Sequence, residues 1–150
     1  MVNNLLSGLF GSVIVFFIGL WFKHRETDNK LQSISLLLFF EVNDHLYWLN
    51  NLNEMTVELL INTKDIEWEK SRYFFATNIS YEDFSLIIKH YRSMRAVRKL
   101  LSVAQNPIAL PDEFRQKHLF YAQAAHKLLF NLAKLDEQKL IDYNTLPPMK

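Results

Sequence analysis

All three glycines of the chain lie at its front, at Gly8, Gly11 and Gly19, and none follows in residues 20–150. Tight β-hairpin turns draw on glycine for positive φ. A chain that does without glycine over such a length points to helices joined by short polar links, not to a β domain.

Charge divides the chain at almost the same place. Every Asp, Glu, Lys and Arg lies at Lys23 or later. Residues 5–22, LLSGLFGSVIVFFIGLWF, form an uncharged run of 18, of which twelve are Leu, Ile, Val or Phe. As a helix this run is about 27 Å long, close to the roughly 30 Å of a bilayer's hydrocarbon core. Those twelve side chains favour insertion by about 4 to 7 kcal/mol. Trp21 stands where an interfacial aromatic belongs. The run predicts a transmembrane anchor over residues 1–22, followed by a helical domain over 23–150. A cleaved signal peptide fits less well, because MVNN carries no basic side chain and GLWFKHR offers no small-x-small cleavage site. Lys23, Arg25 and Lys30 follow the run. The positive-inside rule then predicts a single-pass inner-membrane protein with its amino terminus outside and its domain cytoplasmic. Within the run, Ser7 with Gly11 and Gly8 with Ser12 make overlapping small-xxx-small pairs, the pattern that lets two membrane helices approach closely.

Hydrophobic spacing organises the remainder. Leu38, Val42, His45, Leu49 and Leu52 advance by alternating four and three, the mark of a buried helical stripe. This second helix is expected over about 28–62, broken at Asn50-Asn51-Leu52-Asn53 or running on from the anchor without interruption. Residues 63–79 show no clean period and read as a short helix and an irregular connection. Ser80 followed by Asp83 resembles a capping box and opens a helix over about 81–104, with Phe84, Ile87, Tyr91, Met94, Val97, Leu101 and Ala104 on its buried side. Asn106-Pro107 ends it. Pro111, Asp112 and Glu113 suit the start of a last helix, with Phe114, His118, Tyr121, Ala125, Leu128, Leu132 and Leu135 inward. The expected fold is all-α: one transmembrane helix and a cytoplasmic up-down bundle of three or four helices.

Composition removes several functions. With no cysteine there is no disulfide, thiolate nucleophile or thiolate metal site. The net charge of +1 makes no case for a nucleic-acid binder. There is no Gly-x-Ser-x-Gly elbow, no His-Glu-x-x-His and no glycine loop to cradle a phosphate. No cofactor is expected.

Two constellations remain. Glu41 and His45 are four apart and share a helix face, Asp44 lies beside them, and His118 falls on the inward stripe of the last helix. Helical bundles hold metals between inward carboxylates and histidines, but by a Glu-x-x-His repeated on two helices. Here the spacing is Glu-x-x-x-His and occurs once. A neutral, partly buried His45 bonded to Glu41 or a backbone carbonyl is the plainer reading. The second constellation is KHYRSMRAVRK, in which Lys89, Arg92, Arg95, Arg98 and Lys99 cover about half the helix circumference. It reads as a solvated face matched by the seven acids of residues 41–69, as a surface for anionic lipid headgroups, or as a nucleic-acid contact. The sequence as a whole predicts a non-enzymatic, membrane-anchored accessory or regulatory module. Its partners are the bilayer and a protein partner or a second copy of itself. The alternatives are a metal-dependent enzyme at Glu41, Asp44, His45 and His118, and a nucleic-acid-binding effector.

Overall fold

The computed structural model describes the backbone of residues 2–104 and 111–136, and within these the side chains from residue 14 onward. Five helices follow in order: α1 (Val2–Asn50), α2 (Glu54–Asn62), α3 (Ile66–Asn78), α4 (Tyr81–Val103) and α5 (Asp112–Leu132).

The asparagine-rich break ends α1 as expected. Asn51 bonds the carbonyl of Tyr47 through both its backbone N–H (3.0 Å) and its side-chain amide (2.8 Å). Asparagine favours such local bonds over helix propagation. Asn53 and Thr56 then exchange side-chain and backbone bonds of 3.0 and 2.8 Å, a reciprocal cap that starts α2. Before the break, α1 is one uninterrupted rod, so the domain's first helix is collinear with the apolar front segment. Ser80 accepts a bond from the N–H of Asp83 and opens α4 where the sequence placed it.

Residues 63–79 depart from expectation, being mostly helix α3. Its buried residues are Trp68, Ser71 and Phe75, spaced three and four apart. The middle position of this stripe is a serine whose hydroxyl donates back to the carbonyl of Glu67 at 2.5 Å, so a search for apolar residues alone misses the period. The inward face of α5 also differs. His118 and Ala125 are buried as expected, and Leu128, Leu132 and Leu135 pack half-buried against the first core cluster, but the most deeply buried positions of the face also include Leu119, Ala122 and Leu129. The reason is that α5 packs against both α1 and α4 and centres its face on the line between them.

Two apolar clusters fix the helix directions. One joins Leu38 and Val42 of α1 to Phe75 of α3, Ile87 and Tyr91 of α4, and Ala125 and Leu129 of α5. The other joins Leu49 of α1, Val57 and Leu60 of α2, Met94, Val97 and Leu101 of α4, and Leu119 and Ala122 of α5. Numbers therefore rise from the first cluster to the second in α1 and α4, and fall in α5; α3 runs antiparallel to α1, since Glu67 near its start meets Glu41 and Phe74 near its end meets Lys30. The domain is an up-down-up-down four-helix bundle of α1, α3, α4 and α5, with α2 closing one end and α1 and α4 diagonal across the core. Each fully buried Leu, Ile or Phe contributes about 1.5–3 kcal/mol of transfer free energy. Trp68 and Tyr91 stack nearly parallel, with centroids 4.7 Å apart, and join α3 to α4.

The missing glycine has a local consequence. At the end of α5, Lys134 takes φ 50°, and the N–H groups of Lys134 and Leu135 bond to the carbonyls of Asn131 and Phe130. This is a Schellman stop with lysine in the left-handed position that usually selects glycine.

Residues 14–22 continue α1 away from the bundle. The described side chains from Ile14 to Ile18 and from Leu20 to Phe22 are all exposed, at 48–70 %. Among the described residues no helix is long and apolar enough to cross a membrane. The expected span over residues 5–22 therefore finds no support there, and it begins ahead of the first described side chain. Ser7, Gly8, Gly11 and Ser12, the expected packing face, lie outside the described side chains.

Candidate functional site

A polar layer lies between the two apolar clusters. On α1, His45 sits between Val42 and Leu49; on α4, His90 sits between Ile87 and Met94. Both histidines are fully buried. His45 Nδ1 lies 3.1 Å from His90 Nε2, and His45 Nε2 lies 3.1 Å from Arg98 Nη2. Arginine can only donate, so His45 Nε2 accepts and the His45 proton sits on Nδ1. That proton is donated to His90 Nε2, which places the His90 proton on Nδ1. His90 Nδ1 has no hydrogen-bond partner among the described residues.

Arg98 anchors the other end of the layer. It makes a two-pronged pair with Asp65 at 2.7 and 2.8 Å and donates from Nε to the Leu60 carbonyl at 2.9 Å. Its side chain is 13 % exposed and that of Asp65 only 4 %. The cost of burying these charges is met by pairing and by saturating the guanidinium's donors. Burial, then the charge of Arg98, pushes the His45 pKa down to about 3. Burial, then His45, pushes His90 down to about 3, with the Asp65 carboxylate working in the opposite direction. Both rings are neutral at pH 7.

The expected metal residues are not brought together. Glu41 accepts a bond from the backbone N–H of Glu67 at 3.2 Å, and burial raises its pKa while the nearby Tyr91 hydroxyl lowers it. Among the described residues the Tyr91 oxygen makes no hydrogen bond of ordinary geometry, so its influence on Glu41 is one of proximity. Asp44 is exposed. His45 faces His90 and Arg98 instead of Glu41, and His118 meets the Ser93 hydroxyl through Nδ1. Among the described residues no three His, Asp or Glu side chains gather as a metal-binding group.

The basic stretch of α4 is split. Arg98 is part of the buried layer, not of an exposed surface, and Arg95 pairs with Glu69 of α3. These two pairs realise the expected match between the acids of residues 41–69 and the bases of α4. Lys89, Arg92 and Lys99 are exposed and have no ion pair among the described residues. Lys89 and Arg92 line an open cleft of about 280 Å³ with Ser93 and Ala96 of α4 and Lys117, His118 and Tyr121 of α5. Of the aromatics available for docking, Tyr47 and Tyr73 are exposed, whereas Trp68 and Phe75 belong to the core.

Sequence reasoning missed Ser93, Lys117 and the special place of Asp65. Ser93 carried a signal: it lies three residues from His90 and four from Val97, on the buried side of α4. Lys117 and Asp65 carried none, because only packing decides which helix they face. No protein-family model matches the sequence, and no curated protein or solved structure matches it either.

Proposed function

We propose that this chain is a single-pass, membrane-anchored helical module whose bundle serves as an accessory or regulatory interaction unit and not as an enzyme. The observation that carries the reading is the exposed continuation of α1. Apolar side chains at residues 14–18 and 20–22, at 100° per residue, surround the helix on all sides and do not form one stripe. A single apolar stripe suits a partner helix; an apolar surface all round suits lipid. The Arg25 guanidinium lies over the Trp21 ring at 5.5 Å from its centroid, a basic–aromatic pair suited to a headgroup boundary. Lys23, Arg25 and Lys30 favour the orientation with the bundle on the cytoplasmic side.

Fractionation of cells expressing the full chain tests this. The chain is expected to sediment with membranes, to resist alkaline carbonate and to be released by detergent. A chain that stays in the high-speed supernatant without detergent overturns the anchor. A reporter fused after Lys150 is expected to be active on the cytoplasmic side only. Crosslinking in intact membranes is expected to trap a second copy or a partner on the bundle.

A further inference from the structure

We propose that the cleft between α4 and α5 is a phosphate-binding site, formed by Lys89, Arg92 and Lys117 around a floor of Ser93 and His118, and that its ligand is a soluble phosphate or phosphomonoester. Two independent observations converge on the cleft. The first is its charge. Three cations line it and no acid does, and none of the three has an ion pair or hydrogen bond among the described residues. On the α3 side of the same helix, Arg95 and Arg98 are each matched to a carboxylate. The second is His118. It lines the cleft, it is only 5 % exposed, and its Nε2 is buried without a partner among the described residues. An unmet buried nitrogen costs about 1–3 kcal/mol. In the proposed complex the cleft opens to let a ligand oxygen reach this atom, which the empty cleft keeps covered: when the Ser93 hydroxyl donates to Nδ1, the His118 proton sits on Nε2 and is available to the anion.

A dianion suits this donor set. Burial and then the charge of Lys117 lower the His118 pKa, so the ring is neutral while the cleft is empty. A phosphate offsets the three cations and favours protonation of the ring it touches. The choice of a soluble ligand over a lipid headgroup rests on the anchor proposed above; the cleft itself does not. His90 and its neighbours on α4 lie level with His45, which is 23 residues beyond Phe22 on an unbroken helix. At 1.5 Å per residue this is roughly 35 Å along the rod from the apolar segment.

The test is a titration of the detergent-solubilised full chain with inorganic phosphate at constant ionic strength, followed by the ring ¹⁵N signals of His118. Saturable binding is expected, together with an upward move of the His118 titration midpoint. R92Q/K117Q should weaken binding at least tenfold, the charge-preserving R92K/K117R should retain it, and R95Q should leave it unchanged, with circular dichroism confirming folding in each. A response that chloride reproduces, or one that R92Q/K117Q leaves intact, overturns the proposal. Nanodiscs separate the two sources of phosphate. In phosphatidylcholine and in phosphatidylglycerol discs, inorganic phosphate should bind equally well. His118 signals already shifted by phosphatidylglycerol alone overturn the soluble ligand. If the chain fails to enter discs, the anchor falls while the micelle titration still decides the cleft.

Discussion

The two sides of α4 carry the same kind of residue and meet opposite fates. Facing α3, Arg95 and Arg98 find Glu69 and Asp65, and Arg98 is drawn into the core beside His45. Toward α5, Lys89 and Arg92, the latter also bordering Arg72 of α3, find Lys117 and His118 and stay without a counter-charge among the described residues. The two sides are interleaved within eleven residues, 89–99. The contrast shows that a basic run is not one surface. The helix deals its charges to different neighbours, and the neighbour decides whether a charge is structural or available.

The largest effect is expected where the contrast is sharpest. Asp65→Ala strips the buried Arg98 of its carboxylate and should cost about 3–5 kcal/mol in urea unfolding. The double variant D65L/R98M should recover part of that loss, because no unpaired charge remains. A single variant that costs under 1 kcal/mol would place Arg98 in water and erase the contrast.

Acid should act next. The pKa values of His45 and His90 fall from 6.5 in the unfolded chain to about 3 in the bundle, so the unfolded chain binds more protons between those limits. The stability that comes from keeping them neutral is fully present above about pH 6.5 and is lost as pH falls toward 3. Well below 6.5 the loss approaches about 1.4 kcal/mol per pH unit for each ring. His118 and His126, both lowered, act in the same direction; Glu41, raised by burial, opposes it. Thermal melts at pH 7.5, 6.0 and 5.0 should show a steady drop, and a flat profile would break the account of the polar layer.

Smaller effects sharpen the exposed half. Arg95→Ala removes a pair whose partners are each about half exposed, and should cost about 0.2–1 kcal/mol. Lys89→Gln with Arg92→Gln removes charges that pair with nothing described, and should change stability by no more than about 0.5 kcal/mol in phosphate-free buffer. A large loss from this double variant would mean that these cations support the fold and are not free for a ligand.

Much of this architecture was legible in the chain. The four-three stripe through Leu38, Val42, His45 and Leu49 was read correctly, as were the cap at Ser80 and the asparagine break after residue 50. These are local signals, set by helical period and by side chains that compete for backbone bonds. The full length of α3 escaped, with only a short helix expected there, because Ser71 interrupts its apolar period, and the Leu119, Ala122 and Leu129 part of the α5 face escaped because two neighbours share that helix. His45 was read as a buried neutral histidine, but its partners lie 45 and 53 residues away, beyond any local pattern. Lys134 shows the same limit from another side: a helix stop that favours glycine was made without it, because the two closing bonds offset the strain.

The sequence by itself determined an all-helical chain with an apolar front, an inward histidine on the first domain helix and a basic stretch on the fourth. Each of these follows from period, capping and composition, which act over a few residues. Only the tertiary structure decided that α1 and α4 run parallel across the core, that His45 and His90 touch, and that Arg98 turns inward while Arg92 stays out. Those outcomes depend on which faces meet when four helices bury their stripes together, and the energy of that choice lies in contacts between residues far apart in the chain.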